Sequence, residues 1–202
     1  MYYNTPNVIV DNILTEEEIA QVYKAVENND GNTFVQVHCQ LNNFITLPHS
    51  IIEKFTNHAK RISGNDNLVL NEFCHARYQN TTSNCGKFHF RPSLFPHYDE
   101  TFKEPRFTFD YQLKANIDWP IVVEPNTHLS LKDNQAATFS GTHQIHWRVP
   151  TIFEDDQFVE MIFCHFFDPT EGLKGEDVNR IMDEKADKYK KEFFDNGGLS
   201  NG

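Results

Sequence analysis

The sequence lacks the features that mark several large classes of protein. None of its apolar runs approaches the length that spans a bilayer. Glycine-rich phosphate loops of the G-x-G-x-x-G or Walker type are absent, as is the G-x-S-x-G nucleophile elbow. The four cysteines include no Cys-x-x-Cys pair, so free thiols are expected rather than a disulfide or zinc framework. We therefore expect no membrane span, no nucleotide-binding loop of these types and no serine hydrolase of the elbow type.

Positive charge is also scarce. The chain has 18 basic and 29 acidic residues, which give a net charge of −11. A broad acidic field repels phosphate backbones, so nucleic acid is not expected as a main partner. The first residues contain neither a basic stretch nor a long apolar one, so we expect no signal peptide and a cytoplasmic protein.

The chain is rich in hydrophobic residues, at 39% with 18 phenylalanines, which suffices for one well-buried domain. Short apolar runs separated by turn residues fill positions 67–168 and indicate a jelly-roll-like β core. Helical patterns precede and follow this region. We predict a mainly β single domain with flanking helices over 1–202: an N-terminal strand and helices in 1–66, the jelly-roll core in 67–168 and a C-terminal helix in 175–195. The candidate strands are Leu68–Tyr78, Lys87–Phe90, Phe95–Asp99, Arg106–Lys114, Pro120–Val123, His128–Leu131, Ala136–Phe139, Gln144–Val149 and Phe158–Phe167.

Two short motifs carry the most chemical information. In His97-Tyr98-Asp99, an extended backbone places the histidine and the aspartate on one face. A histidine from a distant strand, in His146-Trp147-Arg148, would complete a 2-His-1-carboxylate triad, which holds Fe(II) and leaves open coordination positions. His143 competes with His146 for this role. The two lie three residues apart on a predicted strand and therefore face opposite sides, so only one can reach the metal.

The segment from Arg77 to Asp168 resembles the Fe(II)/2-oxoglutarate-dependent oxygenases, most closely their prolyl-hydroxylase-like branch. The resemblance implies a double-stranded β-helix (jelly roll) fold and the use of Fe(II), 2-oxoglutarate and O2. It also implies His97 and Asp99 as proximal iron ligands and His146 as the distal ligand. The matching residues are Arg77-Tyr78, Pro96-His97-Tyr98-Asp99, Trp119-Pro120-Ile121, Phe139-Ser140-Gly141, His146-Trp147-Arg148 and Phe163–Asp168.

The chain departs from the family at the basic residue that pairs with the far carboxylate of 2-oxoglutarate. Many relatives carry it about ten positions after the distal histidine, because a buried carboxylate needs a cation, whereas Asp156 stands there in this chain. Arg148, two residues after His146, is the first candidate and Lys114 is the second. The hydroxyl group of Tyr78 could complete the co-substrate site.

The resulting prediction is a dioxygenase that hydroxylates a C–H bond of a peptidyl proline, an amino acid or a small metabolite. Two alternatives remain at this point. One is a non-catalytic jelly-roll protein with a binding or structural role, which the departure at Asp156 keeps open, and the other is a cupin-like metalloenzyme that uses no 2-oxoglutarate. His89, His128 and His165 are expected to be loop or strand histidines without a metal.

Overall fold

The computed structural model describes residues 5–28, 33–36, 40–43, 45–82, 89–90, 92–99, 107–149, 151–170 and 176–196. Strands dominate these residues, with helices near both ends of the chain. In chain order the elements are β1 (Val8–Val10), α1 (Glu16–Glu27), β2 (Thr33–Gln36), β3 (Gln40–Asn43), α2 (His49–Ser63), β4 (Val69–Gln79), β5 (Thr81–Thr82), β6 (His89–Phe90), β7 (Phe107–Ala115), β8 (Ile121–Val123), β9 (Thr127–Leu129), β10 (Gln135–Phe139), β11 (His146–Arg148), β12 (Phe158–Phe167) and α3 (Glu176–Asp195).

The larger sheet has seven antiparallel strands in the order β1-β10-β7-β12-β4-β3-β2. Strand β12 lies at its centre and pairs with both β7 and β4 over most of its length. Its sequence explains this position, because FVEMIFCHFF is a nearly continuous apolar run of the kind that a strand covered on both faces requires. The N-terminal strand β1 pairs with β10, so Val8–Val10 join the same sheet as the core strands.

The smaller sheet has the order β11-β8-β9 and faces the larger one. Side chains from both sheets form one buried cluster, with Tyr78, Val159 and Met161 from the larger sheet and Ile121 and Val123 from the smaller. The two layers enclose a shared interior, as the predicted mainly β jelly roll requires.

The first two helices cover the outer face of the larger sheet. Helix α1 begins at a capping box, in which the Thr15 hydroxyl accepts from the Glu18 amide at 3.3 Å and the Glu18 carboxylate accepts from the Thr15 amide at 2.7 Å. Helix α2 ends at Gly64, whose φ of 68° is the left-handed conformation that glycine adopts without strain. On α2, the Phe55 ring lies 5.7 Å from that of Phe109, measured between centroids. The outer face of the sheet is thus an apolar core, and the inner face is left for a site.

Helix α3 supports the segments that carry the two motifs. The Tyr98 hydroxyl donates to Asp183 at 2.7 Å, and the Trp147 ring lies 5.3 Å from that of Tyr189. Because side chains alternate along an extended chain, Tyr98 and Trp147 point to the helix while their neighbours on either side point inward. None of the helices in the described residues is both long and apolar enough to cross a membrane.

The structure differs from the predicted elements in several places, one of which is the two-residue strand β5, which was not predicted. The predicted strand Phe95–Asp99 is reduced to a single β-bridge between His97 and His146, with one further backbone hydrogen bond from Asp99 to Gly141. Strands β2 and β3 were not predicted; each has only four residues, and they pair with each other and with β4 at the edge of the larger sheet. For Lys87–Phe90, strand β6 covers the last two residues, and positions 87 and 88 lie outside the described residues.

Candidate metal centre

Three side chains converge at one end of the space between the sheets. One ligand atom from each of His97, Asp99 and His146 lies within 4.8 Å of the other two. The Nε2 atom of His146 is 3.6 Å from Oδ1 of Asp99, and the two imidazole ring centroids are 4.2 Å apart. Two imidazoles and a carboxylate that approach a common point from one side are the donor set of a 2-His-1-carboxylate metal site.

Backbone hydrogen bonds bring these distant segments together. The amide of His97 donates to the carbonyl of His146 at 3.1 Å, and the amide of His146 donates back at 2.8 Å. The amide of Asp99 donates to the carbonyl of Gly141 at 2.7 Å. The ligand set is therefore held by main-chain pairing rather than by the side chains alone.

Both histidines have the protonation state that a metal requires. Nδ1 of His97 lies 2.9 Å from the Phe95 carbonyl, and Nδ1 of His146 lies 3.2 Å from the Gln144 carbonyl. When Nδ1 donates to a carbonyl, Nε2 keeps its lone pair for a metal. Burial lowers the pKa of His97 to about 4, with a further contribution from the adjacent His146, and burial also lowers the pKa of His146. Both rings are neutral at pH 7, so a metal does not have to displace a proton from them.

The carboxylate of Asp99 sits in a close-fitting recess. Its Oδ2 atom lies 3.4 Å from the Thr108 hydroxyl, which donates to it, and 3.7 Å from Nε2 of His165. A Cβ atom on Gly141 would lie only 1.8 Å from Oδ2, which is far inside van der Waals contact. His165 is itself held by Glu72, whose carboxylate is 2.9 Å from Nδ1. The absence of a side chain at position 141 thus makes room for the carboxylate.

A cavity of about 250 Å³ extends from the three ligands into the interior. Its wall at the metal end includes Thr108 and His165, and Tyr78 and Arg148 belong to the opposite end. Strand pairing supports this placement of the two ends. On β12, His165 pairs with Thr108 at the metal end, and Val159, six residues earlier in the chain, pairs with Tyr78. The interior of the jelly roll is therefore a pocket with the candidate metal centre at one end.

Arg148 supplies a buried cation at the far end of this cavity. It is only 2% exposed, its Nη1 atom donates to the Trp119 carbonyl, and its guanidinium carbon lies 5.0 Å from the centroid of the Trp119 ring. Among the described residues, its Nε and Nη2 atoms have no hydrogen-bond partner. Burial lowers the pKa of Arg148, but a guanidinium remains charged in proteins. Two unsatisfied donors on a buried cation favour an anionic ligand, because leaving them unpaired is costly.

Tyr78 lies beside this guanidinium. It is buried, lines the cavity and packs edge-on against Trp119 with centroids 5.1 Å apart. Burial raises the pKa of the phenol, so the hydroxyl keeps its proton at neutral pH and can donate to an anion.

Sequence reasoning missed Asp110, which lies in the same wall. It is 5% exposed, and no hydrogen bond or ion pair to it is present among the described residues. Burial raises the pKa of its carboxyl to about 7, against the opposing effects of His165 and Arg148. Asp110 alternates with Phe109 and Tyr111, a pattern that is common in strands with one face in water, so the sequence alone carried no signal for a buried carboxylate.

The remaining candidates lie elsewhere. Lys114 is exposed near the end of β7 and does not line the cavity, and Asp156 lies in an exposed turn before β12. Nδ1 of His143 lies 2.9 Å from the Thr142 hydroxyl, and this histidine is not in the three-residue cluster. His128 is exposed, with Nε2 near Asn126, and nothing is described of the His89 side chain.

Comparison with solved structures establishes the fold. The chain resembles the non-haem alpha-ketoglutarate-dependent epimerase SnoN of nogalamycin biosynthesis, with a TM-score of 0.62 and 11% identity over 83% of this chain and 80% of that one. It also resembles a 2OG-Fe(II) oxygenase family oxidoreductase from Burkholderia pseudomallei, with a TM-score of 0.59 and 12% identity over 84% and 87% of the two chains. A prolyl hydroxylase from Trichoplax adhaerens, solved with a hypoxia inducible factor peptide, has a TM-score of 0.55 and 14% identity over 82% and 84%. The jelly-roll prediction is thereby confirmed. No protein-family profile matches the chain, and no curated protein does.

Proposed function

We propose that this protein is an Fe(II)- and 2-oxoglutarate-dependent dioxygenase that hydroxylates a C–H bond of its substrate. The observation that carries the proposal is a single cavity with a complete 2-His-1-carboxylate cluster at one end and a buried, incompletely paired arginine at the other. A 2-oxo dicarboxylate matches both ends, because one end of it chelates a metal and the other is an anion. The similarity to solved oxygenases adds support at the level of the fold.

His97, Asp99 and His146 would hold the iron and leave coordination positions open for other ligands. Two neutral imidazoles and one carboxylate leave Fe(II) with a net positive charge, which favours chelation of an anionic keto acid. When bound, iron supplies oxidation chemistry in which one atom of O2 enters the substrate C–H bond and the other converts 2-oxoglutarate to succinate and CO2. The protein contributes the placement of the three ligands, the anion site and the cavity that joins them.

Arg148 and Tyr78 would bind the far carboxylate. The Nε and Nη2 atoms of Arg148 lie on adjacent corners of a planar guanidinium, which suits a bidentate contact with a carboxylate. Arg148 lies two residues after His146 on the same face of β11. It would take the role that a basic residue at position 156 would have, which is to pair with the far carboxylate of 2-oxoglutarate. Lys114, the other basic residue considered for binding the far carboxylate, is exposed and serves as the control.

We propose that the substrate is a prolyl residue of a peptide, an amino acid or a small metabolite. Related structures support the peptide and the small metabolite, since the Trichoplax enzyme was solved with a peptide fragment and another neighbour, HygX from Streptomyces hygroscopicus, with hygromycin B. The prolyl-hydroxylase-like residues noted in the sequence favour the peptide. Succinate release against a panel of prolyl peptides, amino acids and metabolites would identify the class.

The proposal is tested by adding Fe(II) and then 2-oxoglutarate to the protein under anaerobic conditions. We expect a visible charge-transfer band that needs both additions, with the band lost in His146→Ala. Absence of the band in protein shown by metal analysis to contain iron would exclude this function and favour the cupin-like or the binding-protein alternative.

The anion site is tested with two matched variants. Arg148→Met keeps the length of the side chain and removes its charge, so we expect 2-oxoglutarate binding to weaken about 30-fold or more, as for loss of a charge-assisted pair. Lys114→Met makes the same change at the surface and should alter binding less than twofold. The reverse pattern would assign the anion site to Lys114.

A further inference from the structure

Asp110 places a second carboxylate inside the cavity where the proposed co-substrate would lie. On the inner face of β7, it stands between Thr108, which contacts the metal ligand Asp99, and Gln112, which donates to the Leu131 carbonyl at 3.1 Å. Thr108 therefore marks the metal end of this strand, and Gln112 lies beyond the residues that line the cavity. Asp110 lines the same cavity as the three candidate ligands and Arg148, so its carboxyl borders the space that a molecule between them would occupy.

The groups around Asp110 do not neutralise it by direct contact. Within the described residues, neither Arg148 nor any other cation forms an ion pair with it. Strand pairing places it beside Phe163 and Ala137, which are apolar. The titratable groups that face it across the cavity or from the adjoining strands are Asp99, Arg148, His165, Cys74 and Tyr78.

A keto acid dianion has no hydrogen-bond donor to offer this carboxylate. If Asp110 were ionised, two anions would share one buried site and compete for Arg148. A protonated Asp110 removes this repulsion and can instead donate a hydrogen bond to an oxygen of the bound dianion. The burial and isolation of Asp110 already favour the protonated form, with a pKa of about 7.

We propose that Asp110 takes up one proton from solvent when 2-oxoglutarate binds, and so makes co-substrate affinity fall as the pH rises. This role rests on the proposed function. Asp110 is not one of the three metal ligands, and it forms no ion pair with Arg148, the cation proposed to bind the co-substrate. In this binding reaction, the protein with ionised Asp110 takes up the 2-oxoglutarate dianion and one proton from solvent, and the product is a complex in which Asp110 is neutral. Asp110 is thus a residue that sets the affinity for the co-substrate and the pH range over which it binds.

The test is calorimetric and needs no turnover. Protein saturated with Mn(II), which does not start oxidation, is titrated with 2-oxoglutarate at pH 8 in HEPES and in Tris. Because these buffers differ in ionisation enthalpy, the two observed enthalpies give the number of protons taken up. We expect close to one proton for the wild type and close to zero for Asp110→Asn, which has the same shape and cannot titrate.

The pH dependence of the dissociation constant gives a second readout. Above the pKa of Asp110 in the metal-loaded protein, the constant for the wild type should rise about tenfold per pH unit. In Asp110→Asn it should stay within about twofold between pH 6.5 and 8.5, so the variant binds more tightly than the wild type at pH 8.5. The variant is expected to fold, since it removes a buried unpaired charge.

Asp118→Asn is the matched control. Asp118 also acts electrostatically on Arg148, but it is exposed, lies outside the cavity and accepts from the Ser130 hydroxyl at 3.0 Å. This variant should keep the proton uptake of the wild type. Loss of uptake in both variants would indicate a general charge effect and overturn the assignment to Asp110.

The outcomes separate this inference from the proposed function. Binding of 2-oxoglutarate by the wild type without proton uptake, or equal uptake in Asp110→Asn, overturns the role of Asp110 and leaves the function standing. No binding by either protein at any pH from 6.5 to 8.5, together with no visible band with Fe(II), overturns the function itself.

Discussion

The two faces of strand β7 are equally buried but chemically opposite. Its outer face carries Phe107, Phe109 and Tyr111, which pack with helix α2 in the larger hydrophobic core. Its inner face carries Thr108 and Asp110, which are just as inaccessible to bulk solvent. Alternating polarity usually marks a strand with one face in water. In this protein the polar face lines a cavity, so the contrast separates residues that hold the fold from residues that form the site.

The largest expected effect on the outer face is that of Phe109→Ala. The Phe109 ring is fully buried and lies 5.7 Å from that of Phe55, so its loss leaves a cavity in the core. We expect the free energy of unfolding to fall by about 3–5 kcal/mol, measured by urea denaturation of the metal-free protein. Metal affinity of the folded fraction should be unchanged. A large loss of metal affinity without a loss of stability would contradict the division between the two faces.

Substitutions in the candidate metal centre should change metal affinity rather than stability. His146→Ala removes a ligand of the three-residue cluster, so we expect the affinity for Mn(II) or Co(II) to fall about 100-fold or more. His143→Ala is the matched control, because His143 lies in the same segment and outside the cluster. Metal titration of both variants, with circular dichroism as a check on folding, decides between them. Equal losses would mean that the distal ligand is wrongly assigned.

The sequence predicted the parts of the fold that local pattern determines. The bounds predicted for β12 match the structure, because its long apolar run is typical of a central strand. The edge strands β2 and β3 were missed. Strand β2 contains Phe34 and Val35 but has only four residues, and β3 is mostly polar and becomes a strand by pairing with β2 and β4. The predicted strand at 95–99 failed for the converse reason. Its residues look like a strand, but among the described residues only His97 forms a β-bridge, to His146, and the hydrogen bond from the Asp99 amide to the Gly141 carbonyl does not extend it into a strand.

In the site, sequence motifs identified the residues with distinctive metal-binding chemistry. The other site residues became evident only from the fold, which brings distant parts of the chain together. The structure brings His97, Asp99 and His146 together as their spacing suggested, and it leaves Lys114 at the surface. The burial of Asp110 depends on what the opposite sheet places above β7, and no local pattern encodes that. The same holds for Gly141, whose importance comes from a carboxylate that is distant in the chain.

A smaller effect is expected from Gly141→Ala. The added Cβ atom would lie 1.8 Å from Oδ2 of Asp99, so the carboxylate must move out of its recess. We expect metal affinity to fall about 10- to 100-fold, as when the support of a ligand is lost. Gly64→Ala is a useful control, because it makes the same substitution in open space at a position of positive φ. It should lower stability by about 1 kcal/mol and leave metal affinity unchanged. Metal binding by Gly141→Ala at the wild-type level would show that the recess can adapt.

The smallest expected effect is that of removing one buried hydroxyl group from the inner face of the larger sheet. Thr108→Val keeps the volume of a buried inner-face residue but removes the hydroxyl that donates to Asp99 at 3.4 Å and accepts from the Gly141 amide at 3.2 Å. Since each such hydrogen bond contributes about 1 kcal/mol, we expect metal affinity to fall about three- to tenfold. Thr138→Val makes the same change on the outer side of β10, where the hydroxyl donates to the Pro6 carbonyl at 2.7 Å. It should lower the free energy of unfolding by about 1 kcal/mol and leave metal affinity unchanged. If both variants changed metal affinity equally, the polar inner face would have no special role in holding the ligand, and the contrast between the two faces would reduce to burial alone.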